Sequence, residues 1–345
     1  MAKTYYISIE QATEWGVRLL QKCNIDETQA RTAMKVLITA NLRGTDTHGI
    51  VMLQHYTRRF VRIETRPVSV ISENGCNTLI DGGNSLGTYA SVIAMEKAIE
   101  KAEKFGAGVS SVRNSSHYGA AAYYALMAAQ KDMIGISTTN AAARLAPWGG
   151  IDEFIGNNPF AISVPSGKYP ITLDMANSVV AFQKIAAYAR EGLTLPEGWS
   201  MDNKGEPTTD AQAALNGILM PVGGYKGVGL AVMIDLLCGA LSQNGFSDGI
   251  PHYADYDKPR QVGHFFIAVK ISDFLDINTF KASVDGYVEK FHTLRKKEGV
   301  DRLFVPGEIE YENSVERTKN GFPLSDAVVD QLNAVSDEFG VPRLQ

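Results

Sequence analysis

Apolar residues recur at three- and four-residue spacing over most of the first sixty positions, and this pattern predicts helices. Ala12, Val17, Leu19 and Leu20 follow Ser8 and Gln11, which are spaced as in a capping box. Asp26 is placed to cap a second helix, where Ala30, Ala33, Met34, Leu37 and Leu42 recur until Gly44 ends it. A third amphipathic stretch runs from Ile50 to Ile63 and stops before Pro67. Residues 1–66 read as a helical unit.

From about residue 68 the period shortens. Residues 78–81, 108–112 and 134–139 read as strands, with helices expected over 89–104 and 120–130. Residues 160–165 and 171–174 read as a strand pair joined by Gly167-Lys168-Tyr169-Pro170. Helical spacing returns over 179–190 and 228–241, and residues 265–269 form an apolar strand. In the tail, 283–296 and 325–339 read as helices separated by a loop at Pro306-Gly307-Glu308. The mixed order favours an α/β or α+β protein, with head and tail sharing a helical domain around an inserted sheet domain.

The chain has 345 residues, 45% hydrophobic and 21% charged, enough for a sizeable core. A formal charge of -5 argues against nucleic acid or an anionic membrane as the main partner. No apolar run has the length of a membrane span, and the first residues lack a signal-peptide core, so a cytoplasmic location is expected. Cys23, Cys76 and Cys238 are widely spaced, giving neither a disulfide framework nor a zinc pattern, and are expected to be buried thiols.

Two histidines stand in small-residue loops: His48 in Thr47-His48-Gly49, and His117 in Ser115-Ser116-His117-Tyr118-Gly119. Accessible imidazoles that titrate near neutrality suit acid–base chemistry. The other four histidines lack metal-ligand spacing, so no metal site is expected. His55, His252 and His292 read as surface or helix-face residues, and His264 as structural. Gly223, Gly224, Gly227 and Gly229 surround Lys226 at a predicted helix start, which could hold phosphate or simply form a tight turn. The run matches neither a P-loop nor G-x-G-x-x-G. Asp174 ends an apolar strand; it could accept from a ribose hydroxyl or orient a histidine, but a cap for the following helix is favoured. Trp148 could cover a ligand ring or lie in the core.

Several blocks occur in order: Arg43-Gly44-x-x-Thr47-His48-Gly49, Arg113-Asn114-Ser115-Ser116-His117-x-Gly119, Ala146-Pro147-Trp148-Gly149-Gly150 and Gly156-Asn157-Asn158-Pro159. Asp174-Met175-Ala176, Pro196-Glu197-Gly198-Trp199, Gly223-Gly224-Tyr225-Lys226-Gly227 and Pro306-Gly307-Glu308 follow. With these the chain resembles the malate/L-lactate dehydrogenase family of the non-Rossmann type. That family also holds ureidoglycolate dehydrogenase, sulfolactate dehydrogenase, diketogulonate reductase and piperideine-2-carboxylate reductase, which reduces a cyclic imine.

The resemblance implies an α+β fold, with a helical domain from residues 1–70 and 300–345 and an inserted domain, 71–299, built on a largely antiparallel sheet. It implies a homodimer with NAD or NADP bound near the subunit interface, and a 2-oxo acid or 2-hydroxy acid substrate. Asn140, Ala141, Asp174, Met175, Ala176, Lys226, Gly227, Pro306, Gly307 and Glu308 would line the cofactor. His117 is favoured as proton donor and acceptor, His48 would orient substrate, and Asp174 could fix one of them. Arg43 and Tyr56 fall to the substrate side. Met52 stands where many members place a carboxylate-gripping arginine, and Arg144 is offered as its substitute. Reduction of a cyclic imine, ureidoglycolate oxidation and a catalytically silent nucleotide-binding protein are the competing readings.

Overall fold

The computed structural model describes residues 3–344. Its centre is a seven-stranded sheet in the order Ser69–Asn74, Asn77–Asp81, Ala107–Ser115, Val262–Lys270, Met133–Thr139, Phe160–Val164, Ile171–Met175. Every neighbouring pair is antiparallel except Asn77–Asp81 with Ala107–Ser115. That parallel pair needs a crossover, supplied by the helix Gly87–Phe105. Ala90, Ala94, Ala98 and Ala102 give this helix a fully buried, narrow face. It lies so close to the sheet that a Cβ on Gly108 would overlap the Ala98 carbonyl.

The helices Ile9–Gln21, Glu27–Leu42, Leu53–Phe60 and Asp326–Phe339 share one core with Phe322 and Leu324. Ser8 and Asp26 cap the first two by accepting from Gln11 N (3.1 Å) and Gln29 N (3.0 Å). Head and tail are also stitched by an unforeseen antiparallel pair, Thr4–Ile7 with Phe322–Ser325. A separate apolar cluster, including Leu145, Ile155, Ile185, Leu195 and Leu219, supports the segment between the hairpin strands and the helix Tyr225–Asp235. Among the described residues no helix is long and apolar enough to cross a membrane.

Several expected elements shift for local reasons. The helix predicted from residue 179 begins at Phe182, because Ser178 bridges Pro221 and Val179 N donates to Met220 O, holding that stretch extended. The helix predicted over 283–296 spans Ile277–His292, capped by Asp276 through Thr279 N (2.9 Å). After Gly307, whose left-handed φ of 83° turns the chain, a further helix runs Glu308–Asn320 where no element was predicted. Glu308 is its one buried residue, so it carries no apolar periodicity to read.

Candidate active site

His48 lies in the short helical turn Asp46–His48, just beyond the helix Glu27–Leu42. The buried Asn41 amide fixes this turn, donating to Asp46 Oδ1 (2.8 Å) and accepting from Ile50 N (2.8 Å). Glycine is required at 49, since a Cβ would overlap the Asn41 side chain. His117 follows the strand Ala107–Ser115, and Ser116 anchors it by accepting from Gly87 N (2.9 Å) and donating to Ser85 O (2.9 Å). The two loops bring the imidazoles into a stack, centroids 5.7 Å apart and planes 26° from parallel. Residues sixty-nine positions apart thus share one site.

The Tyr56 hydroxyl lies 2.9 Å from His117 Nδ1 and 3.2 Å from its carbonyl oxygen. Gly119 N is 3.4 Å from the same nitrogen. Tyr56 and the Gly119 amide, which donates to Nδ1, together hold the ring by this nitrogen. Nε2 makes no hydrogen bond among the described residues. Edge-on to His117, at 5.5 Å, is Tyr253. A narrow cavity of about 10 Å³, lined by His55, Tyr56, Arg59, His117, Tyr253 and Arg260, lies here.

Sequence reasoning placed His55 on a surface or helix face. It does sit on the helix Leu53–Phe60, but bonds to the Tyr256 hydroxyl (2.8 Å) and packs on the edge of Tyr253 (4.6 Å). Tyr253 and Arg260 carried no signal, because they stand in an aperiodic loop that only folding brings to His117. Arg59 holds that loop, donating to the carbonyls of Asp255 (3.0 Å), Lys258 (2.6 Å) and Tyr253 (3.0 Å).

The electrostatics favour neutral imidazoles. Burial lowers His117 well below the ordinary value of 6.5, reinforced by His48, Arg260, His55 and His264. Burial lowers His48 as well. His55 is pushed down to about 4 by burial and by Arg58, Arg59 and Arg260. His264 lies outside the pocket, sealed between Thr139 Oγ1 and Ser115 Oγ (2.8 Å each) and stacked on Tyr118. Burial takes it down to about 3, as befits a structural histidine.

A second group of predicted residues gathers at the end of the strand Ile171–Met175. Thr172 N donates to Pro306 O (3.0 Å), and Val222 N to Asn177 O (2.8 Å). The stretches around Asp174, Pro306–Gly307 and Gly223–Lys226 are therefore neighbours. Gly223 and Gly224 have positive φ (61° and 64°) and lead into the helix Tyr225–Asp235, with Lys226 exposed in its first turn. Gly227 is buried, and a Cβ there would overlap the Val222 carbonyl. Trp148, 61% exposed, covers Gly224 and meets Tyr225 edge-on at 6.3 Å.

Asp174 accepts from Ala122 N (2.8 Å), capping the helix Ala122–Ala129 rather than the one that follows it in sequence. The hairpin returns the strand end to that earlier helix. The residue keeps an exposed flank. Crowding about the carboxyl pushes it up to about 6, against the pull of the Ala122 amide and Arg43. No hydrogen bond joins it to His48 or His117 among the described residues. Arg43, at the end of the helix Glu27–Leu42, feels the charges of Glu310 and Asp174, and burial lowers it.

Other predicted site residues are occupied elsewhere. Arg144 pairs with Glu153 (3.4 Å) and lies over the Phe182 ring (4.4 Å). Met52 packs against the helical core. The Asn140 side chain is consumed internally, donating to Asp235 Oδ1 (3.1 Å) and Gly245 O (2.9 Å) and accepting from Gly263 N (2.8 Å). Ala141 N donates to Asn158 Oδ1 (2.9 Å). The Glu308 carboxylate, 1% exposed, is held by Arg302, His292 Nε2 (2.9 Å) and Val305 N (3.0 Å). The side chains of Asn140 and Glu308 are therefore both spent on internal hydrogen bonds.

Two buried, stacked histidines thus share one site, while a glycine turn, a helix start and an exposed lysine gather by the end of the strand Ile171–Met175. The malate/L-lactate dehydrogenase family matches this chain over residues 7–333. The chain is 38% identical over 340 residues to a malate dehydrogenase of Pyrococcus abyssi, covering 95% of this chain and 93% of that protein. It is 34% identical over 328 residues to an L-sulfolactate dehydrogenase of Methanocaldococcus jannaschii, covering 94% of each. A malate dehydrogenase structure from Entamoeba histolytica superposes with a TM-score of 0.93 at 34% identity, covering 99% of both chains. The chain belongs to the malate/L-lactate dehydrogenase family and is an NAD(P)-dependent dehydrogenase.

Proposed function

We propose that this protein interconverts a 2-hydroxy acid and its 2-oxo acid, with His117 as the group that takes and returns the hydroxyl proton. The observation that carries this is the buried His117 imidazole, held at Nδ1 by Tyr56 and Gly119, stacked on His48 and lining the pocket. NAD or NADP supplies hydride acceptance and return. In oxidation, neutral His117 removes the hydroxyl proton; in reduction, its protonated form gives that proton to the developing alkoxide. His48, stacked on His117, limits the ring's movement and the water around it.

In this reading the dinucleotide lies at the end of the strand Ile171–Met175. Asn177 Oδ1 and Ser178 Oγ are buried there without a hydrogen-bond partner among the described residues. The first-turn amides of Tyr225–Asp235 with Lys226 suit a pyrophosphate, and the exposed Trp148 suits a flat ring. Met175, Ala176, Gly307 and the Asn140–Ala141 backbone would complete the walls. Purified protein should oxidise reduced NAD or NADP in the presence of simple 2-oxo acids, read as loss of absorbance. Turnover confined to cyclic imines would favour the imine-reductase reading. Coenzyme binding with no turnover on any such substrate would favour a silent binding protein.

The division into a helical domain (1–70, 300–345) and a sheet domain (71–299) belongs to the same reading, supported by the head-to-tail core. So does a homodimer. Leu230, Met233, Leu236 and Leu241 are all exposed along one helical stretch, an apolar stripe that a second copy would cover. Light scattering should give twice the chain mass, and M233E should shift it toward one chain mass.

A further inference from the structure

We propose that Arg260 anchors the substrate carboxylate, taking the place of the guanidinium that Met52 lacks. The proposal rests on the 2-oxo acid reading above and names the group that would recognise such a substrate. Arg260 is 6% exposed, yet its Nε and Nη1 have no hydrogen-bond partner among the described residues. The hydroxyl of Tyr253, over whose ring the guanidinium lies at 4.8 Å, is likewise buried and unpartnered. Both residues line the pocket that contains His117.

Native proteins rarely leave buried donors unmatched, and a buried charge calls for a counter-charge. Asp255 influences Arg260 only at longer range, and no ion pair reaches it among the described residues. Arg59, the other guanidinium here, is committed to three backbone carbonyls and cannot serve. Those same bonds fix the loop that carries Tyr253 and Arg260, so the donors are preorganised. A carboxylate would accept from Arg260 and Tyr253 together. His117 and Arg260 both contact Tyr253, so the anchor and the imidazole share one aromatic neighbour. A bound carboxylate would also offset the positive charge that helps to depress His117.

The test compares wild type, R260Q and R260K with NADH or NADPH, a series of 2-oxo acids, and oxamate as an unreactive analogue. R260Q should raise the KM for 2-oxo acids and the Kd of oxamate roughly 100-fold or more. Its coenzyme affinity and melting temperature should stay near wild type, and R260K should recover part of the loss. An R260Q protein whose KM and oxamate Kd stay within about 3-fold of wild type would overturn the proposal. If R260Q does not fold, phenylglyoxal labelling of wild type, mapped by mass spectrometry, decides. Oxamate should shield Arg260, and unshielded labelling at saturating oxamate would refute the anchor. Arg260-dependent oxamate binding without turnover would uphold the anchor while removing the dehydrogenase reading.

Discussion

H117A is expected to lower kcat roughly 100- to 10,000-fold, the range a positioned proton-transfer group supplies, while coenzyme affinity holds. The pH dependence gives a sharper signature. Burial, then His48 and Arg260, keep His117 below 6.5, so its neutral form dominates at neutral pH. Oxidation needs that neutral base, so its kcat/KM should rise with pH and level off below pH 6.5. Reduction needs the protonated acid, so its kcat/KM should fall as pH rises through the same inflection. Y56F is the companion variant. Losing the hydrogen bond at Nδ1 should cost about 10-fold in kcat, one hydrogen bond's worth. Wild-type turnover by H117A would remove this histidine from the reaction.

The second large effect concerns stability. Burial alone would raise the Glu308 carboxyl, but bonds from His292, Val305 N, Arg302 and Tyr169 outweigh it and bring it down to about 2. Its unperturbed value is 4.5, so the folded state binds its proton less readily than the unfolded chain. The resulting stability is fully present above pH 4.5 and is lost as pH falls toward 2, amounting to about 3 kcal/mol. E308Q should therefore lower the urea midpoint at pH 7 and flatten the decline in stability of wild type between pH 4.5 and 2. Equal acid sensitivity in the two proteins would show that this carboxylate does not hold the loop before helix Glu308–Asn320.

Helix starts were legible wherever a polar cap preceded an apolar face, as at Ser8 and Asp26, because both signals lie within a few residues. The hairpin of Phe160–Val164 with Ile171–Met175 was legible for the same reason. The helix Glu308–Asn320 was not, since its contacts are mostly polar and its start depends on a glycine turn. Among site residues, His48, His117 and Tyr56 stood out through their motifs. Arg260 and Tyr253 did not, because their loop carries no motif or period, while Arg144 stands paired with Glu153.

The sequence by itself determined the local elements, the acid–base residue types and the family, because each is written in short spacings or ordered motifs. The tertiary structure decided which helix Asp174 caps, which polar groups are spent on the fold, and which guanidinium stands free beside His117. Those depend on contacts between segments far apart in the chain, where burial and hydrogen bonding, not local pattern, fix each side chain's use.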